Sequence, residues 1–276
     1  VVFFLFILVN KTYFFYTLRM LICPKCKKEL KKEDHCYRCP EGHSFDIARQ
    51  GYVNLSLKQK KNQGDNRLMV LARSKFLEED HYDFMRQFVK DKLVDHNIHT
   101  LIDGGCGQGY YTKEFKQVVD TVYGIDLSKE AIRYAAAHDK QSQYFVASIF
   151  DMPFSDHSAD CITSIFTPLP HEEVYRVLRE NGIWIVVGPG PDHCIELKEL
   201  MYDRPYKNDW PDTHMDHFEC VSQDLISNKA VVEDVWSLLE MTPYRYNSPS
   251  SSLDKVKACK SLDTTFEFVV SIWRKI

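Results

Sequence analysis

Apolar residues recur at helical spacing from Leu68 to Phe76, and a second amphipathic stretch follows from about Asp83 to Leu93. The periodicity then changes. HTLID reads as a buried strand closing at Asp103, and VYGI as a second short strand ending in Asp126. The segment YFVASIFDMPFSDHSADCITSIF predicts a third strand, a turn and a fourth strand, the last near Ile162 to Ile165. NGIWIVVGPGPDHCIELKEL follows as a turn, a buried strand from Ile183 to Val187 and a helix. The β-branched and aromatic TTFEFVVSIWRKI reads as a final strand. Strands alternating with helices and closed by late strands predict an α/β class, a doubly wound Rossmann-like sheet with a cleft at the carboxyl ends of its strands.

The 276 residues are 44% hydrophobic and 27% charged, with a net charge of -4. That composition excludes collagen-like, disordered and multi-spanning membrane proteins, and the length suits one large domain plus a small one. The charge is unevenly placed. Residues 20–75 hold thirteen Lys/Arg against six Asp/Glu, whereas residues 76–276 hold twenty against thirty-three. A basic front on an acidic body would meet a polyanion first. Residues 1–19, VVFFLFILVNKTYFFYTLR, carry an unbroken apolar run of only nine, well short of the roughly 20 that span a bilayer. Neither a preceding basic stretch nor a small-residue cleavage site marks a secretory signal. We read translation as starting at Met20, with residues 1–19 as upstream read-through, and we expect no membrane partner.

Residues 20–57 form a small module of their own. Cys23, Cys26, Cys36 and Cys39 crowd into seventeen positions as two Cys-x-x-Cys knuckles, each offering two thiolates to one tetrahedral ion. His43 follows Cys39 by four residues, and His35 is also near. Spacing alone leaves two quartets open: the four cysteines, or the set in which His43 replaces Cys36. So short a module needs its ion to fold. The remaining cysteines are scattered and odd in number, which reads as a reducing cytoplasm. Residues 58–66 continue as a polar, basic linker with no apolar periodicity, placed to touch RNA. Residues 67–276 make up the large domain.

LIDGGCGQGYYT places Gly104, Gly105, Gly107 and Gly109 between the strand ending at Asp103 and a helical stretch. Glycines there let the backbone turn tightly and approach a ligand. Asp126, at the end of the next strand, is placed to accept hydrogen bonds from both hydroxyls of an adenosine ribose. The loop reads D-x-G-x-G-x-G rather than the G-x-G-x-x-G of pyrophosphate binders, and no phosphate-binding Lys follows. The ordered set of Asp103, the glycine loop, Asp126 and Ser148 points to a class I S-adenosylmethionine-dependent methyltransferase. Phe166 and Pro168, in IFTPLP, sit where a target base could stack or where core and turn residues belong.

Taken together, CPKCKKEL, CPEGHSFDIARQGYVNL, GDNRLMVLARSKFLEEDHY, LIDGGCGQGYYT, GIDLSKEAI and GPGPDHCIELKEL resemble, in this order, the bacterial 23S rRNA (guanine-N1-)-methyltransferases of the RlmA type. The resemblance runs from Cys23 to the C-terminus. It implies one Zn2+ held by Cys23, Cys26, Cys39 and His43, with Cys36 a bystander. It implies contacts to the S-adenosyl-L-methionine methyl donor from Tyr82, Gly107, Gln108 and His193. Asp103, Gly105, Asp126 and Ser148 are added from the general logic of nucleoside binding. Family members can carry Glu where this chain has Gln108, which puts a charge-based role there in doubt, and D-H-Y replaces a more usual G-H-Y, which leaves Tyr82 in place. The implied substrate is a single guanine, of the 745 or 748 type, in the helix 35 hairpin of 23S rRNA domain II. A homodimer is also implied. No residue is identified as the acceptor of the guanine N1 proton. Two competing readings remain: a small-molecule or lipid methyltransferase with an accessory zinc knuckle, and a zinc-ribbon RNA-binding adaptor with an inactive methyltransferase domain.

Overall fold

The computed structural model describes residues 20–57, 67–242 and 244–276. The expectations for residues 1–19 and 58–66 lie outside these. The chain begins with a small antiparallel sheet of β1 (Lys31–Lys32), β2 (Cys36–Arg38) and β3 (Ser44–Asp46), in that spatial order. A short strand, β4 (Val53–Asn54), then leaves this sheet and pairs in parallel with β7 (Gln143–Val146). The N-terminal module thus adds an edge strand to the large sheet.

The helical periodicity near Leu68 becomes α1 (Arg67–Leu77), and the next stretch α2 (Asp83–Asp95). Then come β5 (Thr100–Gly104), α3 (Thr112–Phe115), β6 (Thr121–Asp126) and α4 (Lys129–His138). Ser128 starts α4, its hydroxyl accepting the Ala131 N–H, a common way of satisfying a helix's first turn. After β7 follow β8 (Ala159–Ile165), α5 (His171–Val177), β9 (Leu178–Pro189) and α6 (Ile195–Met201). The chain ends with β10 (Phe218–Val232), α7 (Val235–Glu240), α8 (Tyr244–Asn247), α9 (Ser250–Ala258) and β11 (Leu262–Lys275).

The eight-stranded sheet has the order β10-β11-β9-β8-β5-β6-β7-β4. All pairings from β9 to β4 are parallel, while β11 runs antiparallel to both β9 and β10. Strand order reverses at β5, between β6 and β8, so a crevice opens at their carboxyl ends. Alternation sorts the strand side chains into two cores. Leu101, Val122, Ile185 and Phe268 face one, covered by α2, α6 and α7. Ile102, Tyr123, Ile162 and Trp184 face the other, which also takes in Leu21, Cys23, Tyr37 and Cys39 of the module. The metal-type motif is therefore built into the sheet's second face. Ile22 N–H donates to Pro153 O at 3.0 Å and Ser155 N–H to Met20 O at 2.8 Å, stitching the two parts along the backbone. Among the described residues, no helix is long and apolar enough to cross a membrane.

Candidate functional site

Two turns of the module bring four soft ligands together. Lys27 lies at φ 58°, letting its N–H reach Cys23 O at 2.8 Å, and Gly42 at φ 80° closes the second turn onto Cys39 O at 2.9 Å. Cys26 Sγ then sits 3.6 Å from Cys39 Sγ, while His43 Nδ1 lies 3.6 Å from Cys23 Sγ and 3.4 Å from Cys39 Sγ. A tetrahedral zinc ion at its usual bond lengths sets S···S near ~3.8 Å and S···N near ~3.6 Å. The ligand atoms of these four residues lie within 4.8 Å of one another. Cys36 stands apart, its Sγ 3.9 Å from Glu33 Oε2. Burial opposes ionisation of Cys39, yet the His43 and Glu41 amides, with the Cys26 and His43 side chains, bring its thiol down to about 7. A thiolate at neutral pH is what a metal requires.

The glycine loop hangs from the end of β5. Gly105 and Cys106 both donate their N–H to Ile125 O, at 2.8 and 3.0 Å. Gly105 lies at φ 73°, and a Cβ there would come within 2.2 Å of Thr167 Cγ2, so only glycine fits. Gly107 lies at φ 54° and faces the opposite situation: a Cβ would meet nothing within 4 Å, because the loop borders open space. Its N–H donates to Asp126 Oδ2 at 3.0 Å, and Ser128 N–H to Asp126 Oδ1 at 2.7 Å. Ala147 N–H donates to Asp126 O at 3.0 Å, which sets Ser148 beside the end of β6.

Asp103 is only 1% exposed. Thr112 Oγ1 donates to its Oδ2 at 2.6 Å and Thr163 Oγ1 to its Oδ1 at 2.8 Å. Burial pushes this carboxyl up to about 6 against the pull of the two hydroxyls, with Asp126 adding to the rise. Asp103 thus ties together β5, the loop and β8 from beneath. Neither threonine was singled out from the sequence, since Thr163 is sixty residues away. Gln108 is also turned inward. Its buried Nε2 has no hydrogen-bond partner among the described residues. It lines a cavity of about 90 Å³ with Ser74 and Tyr110, whose hydroxyls are likewise unpartnered.

Tyr82 and His193 come together from distant segments. Tyr82 packs edge-on against Phe268, with ring centroids 4.9 Å apart, and stands 6.2 Å from both His193 and Phe166. His193 Nδ1 accepts the Glu267 N–H at 3.3 Å, so the ring's hydrogen is on Nε2. Burial, aided by the Lys198 charge, pushes His193 down to about 4 and keeps it neutral. Glu267 holds the same turn through Asp192 N–H, which donates to its Oε1 at 2.8 Å. Its one visible signal in sequence is an acidic residue inside the apolar run FEFVV. Phe166, at φ 55°, projects from the end of β8 with 44% of its surface exposed, and Pro168 beside it is exposed. One group of residues therefore lines the ends of β5 to β7, another rises past β8, and the contact between Gly105 and Thr167 joins them.

A glycine loop after β5, an acid ending the neighbouring β6 and an antiparallel β11 beside β9 define a class I S-adenosylmethionine-dependent methyltransferase, here with a zinc ribbon compatible with one Zn2+. Residues 102–186 match the family described as a methyltransferase domain, and residues 21–63 match the zinc ribbon described as RlmA, N-terminal. The 23S rRNA (guanine(748)-N(1))-methyltransferase of Streptomyces fradiae is 32% identical over 218 residues, covering 75% of this chain and 78% of that one. YxjB of Bacillus subtilis (strain 168), provisionally named a 23S rRNA (guanine-N(1)-)-methyltransferase, is 29% identical over 278 residues, 93% of this chain and 97% of the relative. The chain belongs to the RlmA-type 23S rRNA (guanine-N1-)-methyltransferase family.

Proposed function

We propose that this protein methylates N1 of a guanine, of the 745 or 748 type, in the helix 35 hairpin of 23S rRNA domain II. The observation that carries this reading is the Cys23/Cys26/Cys39/His43 cluster lying in the same buried core as the sheet that bears the glycine loop. The zinc module and the methyltransferase domain are one packed body, and a 32% identical relative is named as a 23S rRNA (guanine(748)-N(1))-methyltransferase.

Bound S-adenosyl-L-methionine supplies a methyl group already activated on a sulfonium. The residues present suit it: open space at Gly107, a carboxylate at Asp126 for ribose hydroxyls, and an unpartnered buried amide at Gln108 for an acceptor group. Gly105, Ser148, Tyr82 and His193 complete the binding set, and Asp103 holds the loop from below. Most of the rate comes from aligning N1 with the methyl group. His193 Nε2 carries a hydrogen, so His193 donates rather than accepts, and the N1 proton leaves to another acceptor. Phe166 and Pro168 offer a surface for the unstacked base, whose extrusion costs a few kcal/mol. Cys23, Cys26, Cys39 and His43 hold one zinc ion that keeps the module folded. The protein works in the cytoplasm, as a homodimer, on rRNA whose hairpin is still accessible.

Mapping N1-methylguanine in 23S rRNA from cells with and without the gene tests the reading. Loss of one domain II methylation is expected. An unchanged domain II would overturn it.

A further inference from the structure

Beyond the residues already given roles, Phe150 stands out. It is 59% exposed, and no other aromatic ring among the described residues contacts it. Phe166, by contrast, is steadied by Tyr82 and Phe268. Exposure of a large apolar side chain is ordinary on a mobile loop, but this turn is pinned from several sides. Phe150 N–H donates to Ser148 Oγ at 3.1 Å, and Asp151 N–H to Ser148 O at 3.3 Å. Lys27 of the zinc module donates to Asp151 Oδ1 at 2.6 Å. Met152 N–H donates to Glu173 Oε2 at 2.6 Å from α5. Met152 and Phe154 are fully buried on either side of Pro153. The backbone cannot swing to hide the ring, so the chain holds a phenyl face in solvent.

Its location gives that face a purpose. On one side, Asp126 ends β6 and Ser148 lies just beyond β7 at the proposed methyl-donor site. On the other lies Lys27, directly after the metal-binding Cys26, with Lys25, exposed, between Cys23 and Cys26. On the rRNA reading, a strand running from the basic module to the crevice would pass over this turn, which Lys27 joins to the module through Asp151. Single-stranded nucleic acid is held by such a pairing: cations for phosphates, and an aromatic face on which any base stacks.

We propose that Phe150 is a stacking platform for an unpaired nucleobase of the RNA loop, next to the one that is methylated. This rests on the rRNA reading above, and deepens it by naming where a flanking base binds. The test is binding of a synthetic helix 35 hairpin to the full-length, zinc-loaded protein and to Phe150→Ala and Phe150→Tyr variants, over a range of salt concentrations.

Phe150→Ala should weaken the hairpin about tenfold or more, and Phe150→Tyr should restore it, since stacking needs a ring. The salt slope should not change, because no phosphate contact is removed. Zinc content and calorimetric affinity for S-adenosylmethionine should stay at wild-type levels, which also establishes that the variant is folded. If the wild type binds the hairpin and Phe150→Ala binds equally well, the stacking assignment is overturned while the rRNA reading stands. If Phe150→Ala instead loses affinity for S-adenosylmethionine, the ring serves the adenine and the assignment is overturned. If the wild type itself does not bind the hairpin, the rRNA reading fails, and this inference with it.

Discussion

Asp103→Asn removes a charge that the folded protein holds at a cost. The carboxyl is 1% exposed, and burial lifts it from an ordinary 3.8 to about 6. Between those values the folded protein keeps a proton that the unfolded chain has released. Stability from this group therefore falls as pH rises through the window, and the penalty is complete above pH ~6. Worked through, the penalty is about 3 kcal/mol near pH 7.5 and roughly half that near pH 5. Asn has the shape of the protonated acid and no titration of its own. It can still accept from one threonine, and the other hydroxyl turns to accept from the amide. The variant should therefore gain on the wild type as pH rises, with the gap between them widening by roughly 1 kcal/mol from pH ~5 to ~7.5. Urea unfolding followed by the emission of the buried Trp184 and Trp273 reads this directly. Other titrating groups, and any loss of metal, are common to both proteins and cancel in the difference. Curves that stay a constant distance apart at the two pH values would refute the buried-charge argument. Affinity for S-adenosylmethionine should change only severalfold, because Asp103 supports the loop from below.

The metal set separates two cysteines: Cys39→Ser should abolish zinc binding, whereas Cys36→Ser, remote from the cluster, should retain about one ion per chain by mass spectrometry. Equal loss in both would restore the four-cysteine quartet. Gly105→Ala forces a methyl to within 2.2 Å of Thr167 Cγ2 at a positive φ, so S-adenosylmethionine affinity should drop by more than about tenfold. Adding Thr167→Ser, which deletes that methyl, should recover part of the loss; unaltered calorimetry for Gly105→Ala counts against the loop geometry. His193 should appear by 15N NMR as the Nε2–H tautomer and take up its second proton near pH 4, as its burial dictates. As pH falls from ~6.5 toward that value, the unfolded chain binds a proton the folded site refuses, so this residue lowers stability toward acid. A titration near 6.5 would remove the argument that His193 is a fixed hydrogen-bond donor.

Some of this architecture was legible because the constraint is local. Strands β5 and β6 are buried on both faces, so their apolar runs had no competing explanation. The glycine loop announced itself because a positive φ excludes most side chains wherever the chain goes next. β10 was not legible: it is an outer strand, exposed or half-buried along its whole interior, and Val221, Leu225 and Val231 are exposed among polar neighbours. Between its buried ends, Phe218 and Val232, neither face of β10 is continuously covered, so no apolar alternation is imposed on it. The choice between Cys36 and His43 was beyond spacing for a related reason. Cys36 lies in β2 next to Tyr37, and successive strand residues face opposite ways. Tyr37 turns into the core that holds Cys23 and Cys39, so Cys36 is carried to the other side. Nothing in the spacing of the motif encodes that; it follows from where the large sheet lies.

That shared core also sets how the two sites depend on each other. Cys23 and Cys39 are buried with Ile102, Ile162 and Trp184, the underside of the strands whose upper ends carry the glycine loop and Phe166. A zinc ribbon on a tether could lose its ion and leave the methyltransferase intact. Here the ion fixes the turns that seat Leu21 and Tyr37 against β6 and β7, and β4 continues from the same module into the sheet edge. Freed of metal, those side chains would have to leave the core, exposing Phe145 of β7 and Phe154, which packs on Tyr123 of β6. Loss of zinc should for that reason weaken methyl-donor binding as well as RNA binding, a coupling carried by packing, with no residue common to the two sites.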